Sequence, residues 1–164
     1  EKKNNIFRGS EENVLERYYK CAKRYKSKII VRVTSDCPLM DYRLIDEMIE
    51  SFLKKDCDYL SNIHPPSLPN GFDIEIFTID ALEIAHQKAK KLFQKEHVTP
   101  YIWKQPNKFK ILNYSHNQDD KRSYKKYRLT FFPTVWYFNC LLDFLYLTVH
   151  HPIVSHLVTG PPVE

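Results

Sequence analysis

Scattered carboxylates, one histidine and an arginine–glycine turn are the side chains in this sequence whose types and spacing could do chemistry. Asp36 follows the β-branched run Ile29-Ile30-Val31-Arg32-Val33 and is followed at once by Cys37-Pro38. Such a run suits a strand covered on both faces, and Pro38 cannot continue a central ladder, so Asp36 falls just past a strand's carboxyl end. Ligands of open α/β sheets bind there, and a carboxylate so placed can hold a cation against a phosphate; an aspartate before Cys-Pro is equally an ordinary turn former. In Phe72-Asp73-Ile74-Glu75-Ile76 the strict alternation puts Asp73 and Glu75 on one strand face and the apolar side chains on the other. Two carboxylates side by side repel unless something positive lies between them, so the pair marks a charged partner or the wet side of a half-exposed strand. Glu96-His97 could serve as an acid/base pair or as a metal ligand. Adjacent residues do not face each other on a helix or a strand, however, and a hydrogen-bonded structural histidine fits as well. Arg8 beside Gly9 and Ser10, where a helical pattern begins, could hold an anion or stand solvated.

The elements that must position these groups follow from periodicity and caps. Ser10 can cap a helix with Glu11 and Glu12 in its first turn and with Val14, Tyr18, Cys21, Ala22 and Tyr25 on one face. After the strand at 29–33, Asp41 caps a second amphipathic helix with Leu44, Ile45, Met48, Ile49, Phe52 and Leu53 on its apolar stripe. Asp58 to Asn62 reads as a short strand, and Ile63 to Asn70 as an extended loop stiffened by three prolines, able to frame a pocket. Thr78 or Asp80 caps a helix carrying Leu82, Ala85, Ala89 and Leu92, and Thr99 followed by Pro100 is a conventional helix start. Lys108 to Tyr114 reads as a final strand.

Composition narrows the classes. A chain of 164 residues is one domain's worth and buries about two thirds of its unfolded surface. Its three glycines, Gly9, Gly71 and Gly160, lie too far apart for a glycine-rich phosphate cradle. Four cysteines without a C-x-x-C pair, and no secretory pattern at the start of the sequence, predict a reduced, cytoplasmic protein. All 25 Lys and Arg precede residue 129, whereas residues 131–164 carry only Asp143 and Glu164 as charges. The basic excess of the first 130 residues favours an anionic ligand without the density of a dedicated nucleic-acid binder. A partial catalytic domain over 1–130 and a divergent hydrophobic tail over 131–164 are therefore expected. The immediate start of a structured pattern at Glu1 leads us to expect further residues upstream.

Four ordered motifs carry a resemblance. Phe7-Arg8-Gly9-Ser10-Glu11-Glu12-Asn13-Val14-Leu15-Glu16-Arg17-Tyr18, Ile30-Val31-Arg32-Val33-Thr34-Ser35-Asp36-Cys37-Pro38-Leu39, Gly71-Phe72-Asp73-Ile74-Glu75 and Glu96-His97-Val98-Thr99-Pro100-Tyr101-Ile102 together resemble the cytidylyltransferase family that includes the CMP-KDO synthetases, most closely its spore-coat-polysaccharide branch. The resemblance implies a Rossmann-like nucleotide-diphospho-sugar transferase fold, a three-layer α/β/α sandwich with a mainly parallel sheet, here incomplete. It implies transfer of CMP from CTP to a sugar or sugar acid for surface polysaccharide, with Mg²⁺ as cofactor and Asp36 as its ligand. Arg8, Gly9, Ser10, Asn13, Arg32, Thr34, Asp73, Glu75, Glu96 and His97 are the nucleotide- and substrate-binding residues it implies, and it leaves room for a homodimer.

Two departures qualify that expectation. The family's A-R-M-G-S-x-R-L-P-x-K segment, which holds the triphosphate, has no match in these 164 residues, and the residues after Arg128-Leu129-Thr130 are Phe131-Phe132-Pro133 where the family places a second metal-binding Asp. The chain by itself is therefore expected to be inactive, with a foreign or frame-shifted tail. Two other classes compete. A basic nucleic-acid module would use Lys121, Arg122, Lys125, Lys126 and Arg128 with Tyr124 and Tyr127 but lacks an RNP-like motif. A membrane-attached protein would use Phe131 to Val149, which Pro133, Asn139 and Asp143 interrupt. Neither a nucleic acid nor a membrane is the expected partner.

Overall fold

The computed structural model describes residues 6–34, 37, 40–115 and the backbone of 157–158. Its elements, in chain order, are β1 (Ile6–Phe7), α1 (Val14–Tyr25), β2 (Ile29–Val33), α2 (Tyr42–Lys54), β3 (Tyr59–Ser61), β4 (Ile74–Thr78), α3 (Ile79–Lys88), α4 (Leu92–Glu96), α5 (Pro100–Trp103), β5 (Ile111–Asn113) and β6 (Leu157–Val158). Most starts follow from caps. The Asp41 side chain accepts from the Arg43 amide at 3.0 Å, and Thr78 Oγ1 accepts from the Ala81 amide at 3.1 Å. At α1 the cap is Asn13 rather than the expected Ser10. Asn13 Oδ1 accepts from Glu16 N, while Ser10 Oγ accepts from Asn13 N one step earlier, so Glu11 and Glu12 form an exposed bend before the helix.

The sheet runs β2-β4-β3-β5. β3 and β5 pair in parallel, while β4 lies antiparallel to both β2 and β3. Three of the four strands thus share one direction, as a mainly parallel α/β sheet requires, and β4 is inserted against them. Register assigns the faces, because directly opposed residues project to the same side. Ile30 and Arg32 share a side with Phe77 and Glu75, and these with Tyr59 and Ser61. Val31, Val33, Ile74, Ile76 and Leu60 occupy the other side, all buried. On that second side lies α2, where Tyr114 donates its hydroxyl to Glu47 at 3.3 Å. The first side meets α5 through Thr99, and α5 packs with α3 and α4, which also pack on α1. Helices therefore cover both faces of the sheet.

One apolar core joins α1, α2, α3 and the sheet, with Tyr18, Tyr59, Phe77 and Met48 among its largest enclosed side chains. Leu15 of α1 belongs to it as well, beyond the expected stripe. Leu53 and Leu92 do not join it: both are exposed, because α2 ends at Lys54 and the predicted single helix over 82–92 divides at Ala89 into α3 and α4. β1 pairs in parallel with β6, Ile6 opposite Leu157 and Phe7 opposite Val158. The rest of the 131–164 tail and the basic run at 121–128 lie outside the described residues. No helix among the described residues is long and apolar enough to cross a membrane.

Candidate functional site

The four co-directed or inserted strands bring one polar row to the sheet edge where β2, β3 and β5 end. Arg32 is the next-to-last residue of β2, Ser61 the last of β3, and Glu75 lies near the start of the opposed β4, so all three meet at that edge. Glu75 is its centre. Arg32 Nη1 stands 2.5 Å from Glu75 Oε2, and on the other oxygen Glu75 accepts from Tyr59 Oη at 2.6 Å and Thr99 Oγ1 at 2.5 Å. Only 3% of Glu75 and 2% of Thr99 is exposed. Charge-assisted bonds of this kind are the strong ones, and their low-dielectric setting raises the cost of breaking any single partner. Burial, and next to it the Glu75 carboxylate, push the Tyr59 phenol well above its ordinary value and keep its proton in place for donation.

This geometry changes the reading of Glu75. The sequence alternation put Glu75 on one face with Asp73, beside a charged partner or on the wet side of a half-exposed strand, and the family resemblance implied that it binds substrate. Glu75 has a positive partner, Arg32, supplied by the neighbouring strand, and β4 is a buried central strand rather than a half-exposed one. Asp73 is half-buried just before β4 begins. Tyr59 and Thr99 are members of the cluster that sequence reasoning missed. Tyr59 read only as part of a short strand, and Thr99 read as a local helix cap.

His97 closes α4 and is exposed. The next residue, Val98, is fully buried with φ 68°, and the Thr99 amide donates to the His97 carbonyl at 2.8 Å. An i to i+2 bond around a positive-φ residue is a γ-turn of the strained kind, unusual for a β-branched side chain. Glu96 is half-buried in α4, one residue earlier. Glu96 and His97 are thus neighbours at a helix end, with His97 turned outward.

The Arg8-to-Asn13 motif lies at the start of α1 and is used largely for local structure. Besides the caps described above, Arg17 Nη1 donates to the Ser10 carbonyl at 2.7 Å, and a Cβ at Gly9 would stand 3.1 Å from Arg17 Cγ. A side chain at Gly9 would therefore crowd the buried Arg17 side chain. Arg8 is exposed. The structure does not bring this motif into the Glu75 cluster through any hydrogen bond among the described residues. Thr34, half-buried, follows β2 and accepts from the Cys37 amide through its carbonyl at 3.1 Å. Asp36 itself lies outside the described residues. Among the described residues no group of three or more His, Cys, Asp or Glu is placed to hold a metal ion.

The proline-rich loop between β3 and β4 is closed by Asn62. Its Nδ2 donates to the Phe72 carbonyl at 2.6 Å, and its Oδ1 accepts from the Ile74 amide at 2.9 Å. Ser67 ties the loop's middle to Tyr114, donating to its carbonyl at 2.7 Å. At the loop's outer part, after which the His64–Pro65 peptide is cis, the His64 ring lies 4.3 Å from that of Trp103 in α5. The loop and α5 therefore meet beside the polar row.

A layered sheet of this order, with polar side chains gathered where its co-directed strands end, is the frame of a nucleotidyltransferase of the α/β type. The family model described as cytidylyltransferase matches residues 3–135, and the chain belongs to that family. It is 38% identical to a solved cytidylyltransferase of Leptospira borgpetersenii, with a TM-score of 0.69 over 77% of this chain and 52% of that one. The uncharacterized protein MJ1063 of Methanocaldococcus jannaschii is 48% identical over 107 residues, 65% of this chain and 43% of that protein. The spore coat polysaccharide biosynthesis protein SpsF of Bacillus subtilis is 31% identical over 129 residues, 73% of this chain and 54% of that protein. The chain spans about half the length of these proteins.

Proposed function

We propose that this domain is part of an enzyme that transfers CMP from CTP to a sugar or sugar acid destined for surface polysaccharide. The observation that carries the reading is the polar row at the carboxyl ends of β2 and β3, where Arg32, Glu75 and Thr99, drawn from three of the four family motifs, are hydrogen-bonded into one unit. That edge is where open α/β sheets take their ligands. In the reaction an acceptor hydroxyl oxygen bonds to the α-phosphorus of CTP, the bond to the β-phosphate oxygen breaks, and pyrophosphate leaves. Charge spreads over the transferring group, so fixed positive groups and dipoles are what the protein has to supply.

On this reading Arg32 and Glu75 brace the site from below, and exposed His97 and Arg8 are the side chains free to meet substrate. Mg²⁺ would neutralise phosphate charge when bound. Asp36, three residues past the end of β2, is the ligand that the family resemblance implies and that we propose for it. Because no segment of these 164 residues resembles the family's triphosphate-holding motif, binding rather than turnover is the direct test. Calorimetric titration with a sugar acid, and with CTP or UTP in the presence of Mg²⁺, is expected to show saturable binding of the sugar acid, a preference for CTP, and weaker but measurable sugar-acid binding in His97→Ala. Absence of sugar-acid binding, or equal binding of both nucleotides, overturns the proposal.

A further inference from the structure

Two features of the Glu96–Trp103 segment are locally unfavourable, and they sit on adjacent residues, the second of which is bonded to Glu75. Thr99 is the N-cap of α5, yet its side chain makes no cap bond to that helix. A threonine cap ordinarily accepts from the helix's own amides. Here the hydroxyl is instead a donor to Glu75, 24 residues away in sequence. Val98, in turn, holds a positive-φ backbone conformation that is unfavourable for a residue with a branched Cβ and persists only where its surroundings over-determine it. Those surroundings are the complete burial of Val98 on one side and the anchored Thr99 on the other. The strained turn has one visible consequence: it ends α4 and leaves the His97 side chain outside while its two successors are sealed in the core.

From this arrangement we infer that Glu75 is a positioning residue, a buried latch that acts through Thr99 to hold the Val98 turn and so set the direction in which His97 is presented to the substrate. The inference rests on the functional reading above in that the group meeting His97 is the sugar acid or its CMP conjugate. Arg32 and Tyr59 fix the Glu75 carboxylate on one face of the sheet, so the latch is referenced to strands β2 and β3.

The test uses the full chain and two readouts. The ring-proton NMR signal of His97, assigned by its disappearance in His97→Gln, is expected to shift or broaden in Thr99→Val and to return to the wild-type position in Thr99→Ser, which restores the hydroxyl. Thr99→Ala removes the hydroxyl without added bulk and replaces the valine variant if that one does not fold. Affinity for a sugar acid is expected to fall on the order of tenfold in Thr99→Val, as misplacement of a binding group does. In a His97→Gln background the same change is expected to cost nothing further. An unmoved His97 signal in the hydroxyl-free variants overturns the latch, as does a double variant whose loss equals the product of the two single losses. A His97 signal that moves in Thr99→Val while the sugar acid perturbs no signal of the wild type supports the latch and overturns the substrate assigned to it.

Discussion

The Arg32–Glu75 pair is almost completely enclosed, with side-chain exposures of 12% and 4%, and its two members depend on each other unequally. Removing the guanidinium leaves a carboxylate in the core with only two neutral donors. Breaking a buried pair in this way costs about 3–5 kcal/mol, whereas neutralising both members together is far less costly. Arg32→Met is therefore expected to destabilise the chain by about 3 kcal/mol or more. Arg32→Met combined with Glu75→Gln, which keeps an acceptor oxygen for Tyr59 and Thr99, is expected to recover at least ~1.5 kcal/mol relative to the additive sum, a coupling within the usual range for residues in contact. A double-mutant cycle by urea unfolding measures this, and additivity within about 0.5 kcal/mol would refute the coupled cluster.

At the scale of elements, the loop from β3 to β4 is long and proline-rich, and its definition comes from one side chain. Asn62 satisfies the Phe72 carbonyl and the Ile74 amide, the two backbone groups at which the chain turns into β4. Since Ile74 begins the strand that carries Glu75, the clamp also sets where that carboxylate begins its run. Leucine has a similar volume and neither polar atom. Asn62→Leu is expected to lower stability by about 2 kcal/mol or more, because the clamp's two bonds are lost and the Ile74 amide gives up its side-chain acceptor in a buried place. The Ile74 amide should then exchange with solvent measurably faster in native-state hydrogen exchange. Unchanged exchange at Ile74 would show that β4 is registered by its ladder alone. The α5 segment, by contrast, is tied at two points, Thr99 to the sheet and Trp103 to His64, so it couples the sheet edge to the loop.

For the molecule as a whole, the question is how far the tail after Thr130 belongs to the core. Among the described residues its attachment is the two-residue ladder between β6 and β1, while the apolar core is built from elements between α1 and Phe109. Deleting residues after Thr130 is accordingly expected to change stability by less than about 2 kcal/mol, below the usual cost of losing even one large core side chain. A larger loss in urea unfolding would place genuine core contacts in residues 131–164 and end the proposal of a foreign junction there.

Much of this architecture was legible in the residues because its causes are local. The β-branched run at 29–33, the apolar stripe of Leu44 to Phe52, and the caps Asp41 and Thr78 act within one element, so their patterns survive in a linear text. The four motifs likewise carried the family, which the comparisons bear out. Local signals also erred locally: Ser10 and Asn13 are both good cap residues, and the choice between them was made by Arg17 folding back over Gly9 to the Ser10 carbonyl. What only the tertiary structure decided is the company of Glu75. Its partners Tyr59, Thr99 and Arg32 lie 16, 24 and 43 positions away, and they meet because β4 inserts antiparallel between β2 and β3. Strand order and register arise from the sum of core packing over the whole sheet. No short stretch of sequence contains that sum, so an alternating Asp-x-Glu reads the same whether its glutamate faces a substrate or is bound by three donors in the core.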